Sequence, residues 1–285
     1  MPIGVVDIGS NTCRLLVARV ERGAIVPLEK ARVRLALGEE IERTGSVSET
    51  SIAAAAKAAR KLCAIARRSG VDDLDVFLTA PGRQSANADE LVAALRSAAK
   101  HSVRVLTTEE EGRLAYAGAI VTADVPLRGA IAVCDVGGAS TEIAIGTPDT
   151  SPDWVESVDL GSVRLTARTA SLSEALAEAG SAFEHVEPRR VGTALCVGGT
   201  ARATRRLVGS WLGDAELKEA LRLVETTPPR EIARRFGVDR ARAEILPAGV
   251  AILARVHELL GVPMHVCSGG IREGAVLASL AERAA

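Results

Sequence analysis

The chain has 285 residues, 47% hydrophobic and 25% charged, and a chain of this length favours about two domains of roughly 150 residues each. Its 35 basic and 36 acidic residues nearly balance, which argues against a general nucleic-acid coat because such domains are strongly basic. Aromatic residues make up only 2% of the chain, so a stacking platform for single-stranded nucleic acid is also disfavoured.

The first part of the chain predicts a mixed sheet with helices. Short apolar runs indicate strands at 2–7, 13–20 and 24–29, and their close spacing favours antiparallel pairing. An Ala-rich stretch predicts a helix at 48–68. The pattern continues with a strand at 74–79, a helix at 84–99, a strand at 103–106 and a helix at 108–122.

At residue 130 the opening pattern starts again. The run AIAVCDV predicts a strand that ends in Asp135, and the turn GGAST leads into a second strand at 143–146. This order repeats the opening VVDIGSNT, so we infer an internal duplication of one sheet-and-helix unit. The expected fold is α/β, with a boundary at 123–129 that divides the chain into units 1–125 and 126–285.

The remaining sequence alternates between strands and helices, as an α/β protein should. Strands are predicted at 154–159, 193–197 and 264–267. Helices are predicted at 171–185, 200–208, 214–225, 229–236, 241–260 and 271–283.

Cysteine and histidine usage bears on the compartment and on metals. The five cysteines are scattered without a C-x-x-C pair, which is typical of buried free thiols in a reducing compartment. The four histidines lack zinc-ligand spacing. The chain also lacks a run of about 18 apolar residues and opens on a strand-like segment, so we expect a cytoplasmic protein without a membrane partner.

Four glycine-containing turns carry the chemical signal: DIGSNT at 7–12, DVGGAST at 135–141, CVGGTARA at 196–203 and CSGGIREG at 267–274. Glycines let a ligand approach the backbone, and successive N–H groups can wrap an anion. One such turn alone is more often a simple connection. Two Asp-Gly turns on duplicated units, however, predict a phosphate clamp across a cleft. None of the turns matches a P-loop or a dinucleotide-binding motif.

Taken together, these motifs resemble the exopolyphosphatase and guanosine pentaphosphate phosphatase family, within the superfamily of actin, sugar kinases and heat-shock chaperones. The segments that carry the resemblance are, in chain order, VVDIGSNTCRLLVARV, TAPGRQSANADEL, TTEEEGRLAYAGA, CDVGGASTEIAIG, VDLGSVRLT and SGGIREGAVL. The resemblance implies two duplicated ribonuclease-H-like domains of the actin-like ATPase type, with a central cleft and mixed sheets flanked by helices.

The resemblance also implies hydrolysis of a terminal phosphoanhydride with Mg²⁺. Glu111 is expected to orient or deprotonate the attacking water, and Arg83 to bind the transferred or adjacent phosphate. Asp135 and Glu142 are the expected magnesium ligands, with Asp7 close by. The phosphate-binding residues that the resemblance implies are Asp7, Gly9, Ser10, Asn11 and Thr12 in one loop and Gly137, Gly138, Ser140 and Thr141 in the other.

Several further arginines are weaker candidates. Arg14, Arg164 and Arg272 lie in matched segments. A second set, Arg202, Arg205 and Arg206, shares one predicted helix face. That face could extend a track for a polyphosphate tail, although an ordinary solvated basic face is the preferred explanation.

Two departures from the family pattern affect these expectations. Ala139 stands where the family usually has glycine, which would matter if the position needs a positive φ. The sequence also lacks the extra C-terminal helical domains of longer members, which favours short polymers as substrates.

Four functions follow, in order of preference. The first is an exopolyphosphatase that releases orthophosphate from inorganic polyphosphate. The second is a guanosine 5'-triphosphate 3'-diphosphate (pppGpp) 5'-phosphohydrolase, which needs a guanine-sized pocket that the few aromatic residues disfavour. A sugar or acetate-type kinase and a catalytically silent sensor come last. We expect a homodimer, because two-fold oligomers are common, and no nucleic-acid partner.

Overall fold

Two mixed β-sheets organise the chain, and the computed structural model describes them within residues 1–284. The first sheet has the order β3-β2-β1-β4-β5. Its strands are β1 (Ile3–Ile8), β2 (Thr12–Glu21), β3 (Ala24–Arg34), β4 (Asp73–Leu78) and β5 (Arg104–Val105). The first three strands pair antiparallel, whereas β4 runs parallel to β1 and β5 parallel to β4.

The second sheet repeats this plan. Its strands are β6 (Ile131–Val136), β7 (Thr141–Gly146), β8 (Trp154–Val158), β9 (Thr193–Val197), β10 (Trp211–Leu212) and β11 (Met264–Val266). Read from β8, the order is β8-β7-β6-β9-β11-β10, with an antiparallel hairpin at β6–β7 and a parallel β9 beside β6. Both sheets therefore begin with the same strand arrangement, which is the predicted α/β duplication.

Helices cover both sheets and begin at recognisable caps. The Ser48 side chain accepts from the Ser51 N–H at the start of α2, and a capping box of Thr107 and Glu110 starts α5. In chain order the helices are α1 (Leu37–Thr44), α2 (Glu49–Arg68), α3 (Ala80–Gln84), α4 (Ala88–Ala99), α5 (Thr108–Thr122), α6 (Ser162–Arg168), α7 (Leu172–Ala182), α8 (Gly198–Val208), α9 (Asp214–Thr226), α10 (Pro229–Phe236), α11 (Arg240–Glu244), α12 (Leu246–Leu260) and α13 (Ile271–Ala284).

The two helices nearest the cleft are exchanged between the sheets. Helix α5 follows the first sheet in sequence, yet its Ala115 and Tyr116 pack on the second sheet. The C-terminal helix α13 packs its Val276 on the first sheet. The predicted boundary at 123–129 falls between α5 and β6, but the packing does not divide there, and the units 1–125 and 126–285 stay a prediction about the sequence.

Glycines permit the crossing of α5 and α13. A Cβ added at Gly118 would lie 2.0 Å from the carbonyl oxygen of Gly270, and one added at Gly274 would lie 1.9 Å from that of Leu114. No real Cβ tolerates such distances, so any larger residue would force the helices apart. This crossing joins the two halves of the molecule beside the cleft.

Several predicted elements need correction. The helix expected at 84–99 begins only at Ala88, as α4, and a separate short helix, α3, ends at Gln84. Between them, the Asn87 side chain is held by the backbone of Val47 at 2.9 and 2.8 Å. The helix expected at 241–260 is also divided, into α11 and α12, with Pro247 in the first turn of α12. The third strand extends to Arg34 instead of ending at residue 29, and helices α1 and α6 were not predicted.

Two expectations about the chain as a whole can be compared with the structure. All five cysteines are buried and free, as predicted. Across residues 1–284, the helices lack the combination of length and apolar composition needed to cross a membrane.

Candidate active site

A cavity of about 120 Å³ lies between the two sheets, where the first hairpin of each unit turns. The turn between β1 and β2 forms one wall, and the turn between β6 and β7 forms the opposite wall. The predicted residues that line the cavity are Asp7, Gly9, Ser10, Asn11, Thr12, Glu111, Asp135, Gly137, Gly138, Ser140 and Glu142. The fold thus gathers most of the predicted site around one space.

The two turns have the same backbone closure. The Gly9 N–H donates to the carbonyl oxygen of Thr12 at 3.0 Å, and the Gly137 N–H donates to that of Ser140, also at 3.0 Å. Short turns of this kind present successive N–H groups to a bound anion. The duplicated sequence therefore produces a pair of equivalent phosphate-sized loops that face each other.

One predicted loop residue does not face the cavity. Thr141 belongs to β7, is fully buried, and donates its hydroxyl to the carbonyl oxygen of Leu160 at 2.6 Å. The strand begins at this residue, so its side chain is directed into the protein interior instead of the loop. We therefore remove Thr141 from the predicted phosphate-binding set.

The alanine at position 139 has no structural cost. Ala139 is buried in the cavity wall, and it is absent from the non-glycine residues with positive φ, which are Arg22, Ala36 and Lys100 in the described chain. Since an ordinary φ is open to any residue, alanine fits here as well as glycine would.

Four acidic residues line this cavity: Asp7, Glu111, Asp135 and Glu142. Burial, with repulsion from Asp135, raises the pKa of Glu142 to about 7 despite hydrogen bonds from Ser140 and Ser157. Burial and the neighbouring Glu142 raise the pKa of Glu111 well above its usual value. Burial likewise raises the pKa values of Asp7 and Asp135. The cavity is therefore a place where negative charge lacks compensation.

Arg83 stands behind the cavity wall and holds Glu111. Its Nη1 donates to the carbonyl oxygen of Leu106 at 2.6 Å and to Oε1 of Glu111. Arg83 itself is absent from the cavity lining, and its buried Nη2 has no hydrogen-bond partner among the described residues. The contact fixes one carboxylate oxygen of Glu111 and leaves the other for a group in the cavity.

The acidic side chains of the cavity suit a magnesium ion, which does not need a complete set of protein ligands. Within the described residues, no three acidic, histidine or cysteine side chains form a ready-made metal cluster. Asp135 and Glu142 face each other as register partners on β6 and β7, and both carboxylates are buried against like charge. Magnesium usually takes one or two carboxylates, substrate phosphate oxygens and waters, so the two residues fit that ion.

A third glycine turn completes the cavity. Gly198 has a φ of +88°, and a Cβ there would lie 2.2 Å from Oδ1 of Asp135. Only glycine leaves room for that carboxylate in this backbone conformation. The next residue, Gly199, lies against the guanidinium of Arg242, which also lines the cavity. Arg242 was not predicted, since it lies in the short helix α11 outside any recognisable motif.

A larger groove of about 1280 Å³ adjoins the cavity and shares Asn11, Thr12, Arg14, Gly199 and Arg242 with it. Its basic residues are Arg14, Lys30, Arg32, Arg34, Arg202, Arg205, Arg206, Arg242 and Arg272, and its acidic residues are Asp239 and Glu273. Burial and mutual repulsion among the arginines lower the pKa of Arg14 and of Arg242 to about 10. They stay charged at neutral pH, so the groove presents concentrated positive charge.

The weaker arginine candidates separate into two groups. Arg14, Arg272 and the helix set with Arg202 line the groove. Arg164 does not, because it forms a buried ion pair with Glu42 at another point between the sheets. The expectation that Arg164 binds phosphate is therefore corrected.

The sequence profile described as the Ppx/GppA phosphatase family matches residues 16–210. The chain belongs to this family. A guanosine-5'-triphosphate,3'-diphosphate pyrophosphatase of Pseudoalteromonas atlantica is 32% identical, over 96% of this chain and 58% of the relative. Exopolyphosphatase 1 of Mycobacterium tuberculosis is 26% identical, over 98% of this chain and 88% of the relative. This Ppx/GppA chain thus spans little more than half the length of the first relative.

Solved Ppx/GppA structures share the fold. An exopolyphosphatase from Cytophaga hutchinsonii superimposes with a TM-score of 0.89 at 19% identity, covering 99% of this chain and 98% of the other. The Aquifex aeolicus family member gives a TM-score of 0.84 at 24% identity, covering 99% and 98%. These structures confirm the predicted two-domain actin-like architecture, with two mixed sheets flanked by helices.

Proposed function

We propose that this Ppx/GppA protein is an exopolyphosphatase that hydrolyses the terminal phosphoanhydride of inorganic polyphosphate. The observation that carries the proposal is the junction of a small acidic cavity with a large basic groove. One terminal phosphate fits a small cavity, whereas the rest of a polyanion needs an extended, positively charged surface. The family membership and the exopolyphosphatase among the relatives support the same reaction class.

The terminal phosphate would sit between the two equivalent turns. Phosphoryl transfer depends mainly on positioning and charge stabilisation. The turns that start at Gly9 and Gly137 supply N–H groups and the hydroxyls of Ser10 and Ser140 on opposite sides. Arg242, at the border between cavity and groove, would neutralise the phosphate next to the reacting one.

Glu111 would act on the attacking water. The water oxygen forms a bond to the terminal phosphorus, the bridging P–O bond breaks, and Glu111 receives the proton as the shortened polyphosphate leaves. Its raised pKa makes the ionised carboxylate a stronger base than an exposed glutamate. Arg83 fixes its Oε1, which directs the remaining oxygen toward the water. The predicted role of Arg83 as a direct phosphate ligand stays a prediction.

Asp135 and Glu142 would hold Mg²⁺, with Asp7 nearby. When bound there, the ion would neutralise phosphate charge and orient the phosphate oxygens. Hydrogen bonds from Ser140 and Ser157 favour the ionised form of Glu142 that a cation needs. In this way, Asp135 and Glu142 would help to position the terminal phosphate in the cavity.

The alternative substrate is pppGpp, as in the name of the 32% identical relative. The same cavity would then hydrolyse its 5' phosphate. The residues that line the described groove, however, include nine basic side chains and no aromatic ring on which a guanine could stack. This lining favours a chain of phosphates over a nucleoside.

Magnesium-dependent phosphate release tests the proposal, with tripolyphosphate, long-chain polyphosphate and pppGpp assayed in parallel at one salt concentration. We expect turnover of polyphosphate with a higher kcat/KM than for pppGpp. A preference for pppGpp would move the protein to the alternative. Absence of release from all three, while they still bind, would contradict both and favour a sensor.

The assembly and the surroundings of the protein are part of the proposal as well. We propose a cytoplasmic homodimer that binds neither nucleic acid nor membrane. Its nearly balanced charge supports the absence of a nucleic-acid partner. Sedimentation at several concentrations tests the dimer, since a single species with the mass of one chain would contradict it.

A further inference from the structure

Each phosphate loop is tied to the start of one helix. The Gly38 N–H, at the start of α1, donates to the carbonyl oxygen of Ser10 at 2.8 Å. On the other side, the N–H groups of Val163 and Arg164, at the start of α6, both donate to the carbonyl oxygen of Gly138, at 2.8 and 3.1 Å. A displacement of either helix would therefore move a wall of the cavity.

The two loops also touch each other directly. A Cβ placed on Gly138 would lie 3.1 Å from Cβ of Ser10 and 3.3 Å from Cγ2 of Val163. A Cβ placed on Gly38 would lie 2.8 Å from Cβ of Ser10. The loops are therefore in close contact on the side where α1 and α6 begin, so a small change in the position of either helix would alter that contact.

A buried ion pair joins these two helices. Glu42 of α1 accepts from Nε of Arg164 of α6, and the two side chains are only 12% and 5% exposed. Nη1 of Arg164 also donates to the carbonyl oxygen of Asp159 at 2.9 Å. Arg168, a more exposed neighbour, lies 3.4 Å from the other oxygen of Glu42. The guanidinium is thus held on both sides, with Glu42 from the first unit and Asp159 from the second.

We infer that the Glu42–Arg164 ion pair is the tie that sets the separation of the two phosphate loops, so that both are positioning residues for the reaction. The connection runs from the Ser10 loop through α1 to Glu42, and from Arg164 through α6 to the Gly138 loop. A planar guanidinium in a buried site holds a carboxylate in one fixed geometry. Neither residue lines the cavity, so neither contacts the phosphate itself.

The kinetic consequence of this inference rests on the proposed function, whereas the structural consequence does not. Removing the carboxylate charge in Glu42→Gln loosens the tie without touching the substrate. Small displacements of reacting groups cost up to about 10²-fold in rate, so we expect kcat for polyphosphate to fall by about 10-fold or more. The KM should change little, because the groove arginines are intact.

The structural test measures the distance between the two units directly. Spin labels on Lys57→Cys of α2 and Ser173→Cys of α7, two exposed positions, report that distance by pulsed electron paramagnetic resonance. The five native cysteines are buried, which limits unwanted labelling. We expect a narrow distribution in the parent chain, a broader or shifted one in Glu42→Gln, and no change in the control Arg43→Gln, at an exposed position of α1.

The outcomes separate the two proposals. An unchanged distribution in Glu42→Gln overturns the tie whatever the activity. A broadened distribution with unchanged kcat on a substrate that the parent hydrolyses also overturns it, because the separation would not matter to the reaction. If the parent hydrolyses nothing, the proposed function fails, and the distance measurement alone decides the tie.

Folding of the variant needs a safeguard, because Glu42→Gln removes one of the two carboxylates, of Glu42 and Asp159, that pair with the buried Arg164. The double variant Glu42→Gln with Arg164→Met removes both charges of the ion pair. It therefore also tests whether the pair sets the separation of the two phosphate loops. Arg164→Lys keeps the charge but loses the planar fork, so it should give an intermediate distance distribution and an intermediate kcat. An Arg164→Met double variant that keeps both the parent distribution and the parent kcat would contradict the inference.

Discussion

The acidic cavity and the basic groove are adjoining spaces built in different ways. The cavity is small, its walls are largely backbone turns, and four carboxylates line it, three of them buried. The groove is about ten times larger, and long arginine and lysine side chains line it. Under the proposed function, the backbone walls would fix a single phosphate, whereas the basic side chains of the groove would hold the rest of the polymer. The proposed function therefore predicts that the cavity sets kcat and that the groove sets KM.

Glu111→Gln is expected to have the largest effect, a loss of kcat without a matching change in KM. The amide keeps the shape of the side chain but cannot accept the proton, so kcat should fall by about 10²–10⁴-fold while KM stays within about twofold. Steady-state phosphate release measures both constants.

Glu109→Gln is the matched control, because Glu109 lies on the same helical turn and pairs only with the exposed Arg113. Its kcat should match the parent. A Glu111→Gln variant that releases phosphate at the parent rate would remove Glu111 from the reaction.

Arg242→Gln should act on substrate binding in the groove, and therefore on KM instead of kcat. A charged hydrogen bond to phosphate is worth about 1.5–3 kcal/mol, which corresponds to an increase in KM of about 10–100-fold. Arg189→Gln, at an exposed ion pair with Asp153, provides the control. A lowered kcat with an unchanged KM would place Arg242 with the chemistry instead of with the groove.

The pH dependence should reveal the acidic cavity. The pKa of Glu142 is raised to about 7, and only its ionised form can hold a cation. Activity at limiting magnesium should therefore fall as the pH drops through 7, by about tenfold for each further unit below it.

Higher magnesium should move this acidic limb to lower pH, because the cation competes with the proton for the same carboxylates. The measurement is a pH–rate profile at several magnesium concentrations. A limb that does not move with magnesium would exclude Glu142 from the metal site.

Position 139 should give the smallest effect. Ala139→Gly is expected to change kcat and KM by less than about twofold, because the backbone there needs no positive φ. Gly138→Ala is the contrasting variant, since its new Cβ would lie 3.1 Å from Cβ of Ser10, so that one of the two loops must shift slightly. Equal kinetics for Gly138→Ala and the parent would contradict the tight contact between the loops.

The sequence predicted the elements of the cavity well because strand ends and glycine turns are local features. Asp7, Asp135 and the turns that follow them are specified by a few consecutive residues, and the repeat of that pattern predicted the duplicated sheets. Resemblance to the family was needed to select Glu111 among three neighbouring glutamates.

The features that the sequence did not predict depend on contacts between distant segments. Arg242 reaches the cavity because Gly199 leaves room for its guanidinium, and no spacing in the sequence records that contact. The exchange of α5 and α13 between the sheets depends on glycines far apart in the chain. Thr141 was misplaced because one residue decides whether a side chain belongs to the turn or to the strand.

The dependence of kcat and KM on polyphosphate chain length tests the division between cavity and groove most directly. A series from tripolyphosphate to long chains, assayed with magnesium at constant salt, gives both constants for each substrate. The account predicts that KM falls as the chain lengthens, until the groove is filled, while kcat stays constant. A KM independent of chain length, or a kcat that varies with it, would contradict the account.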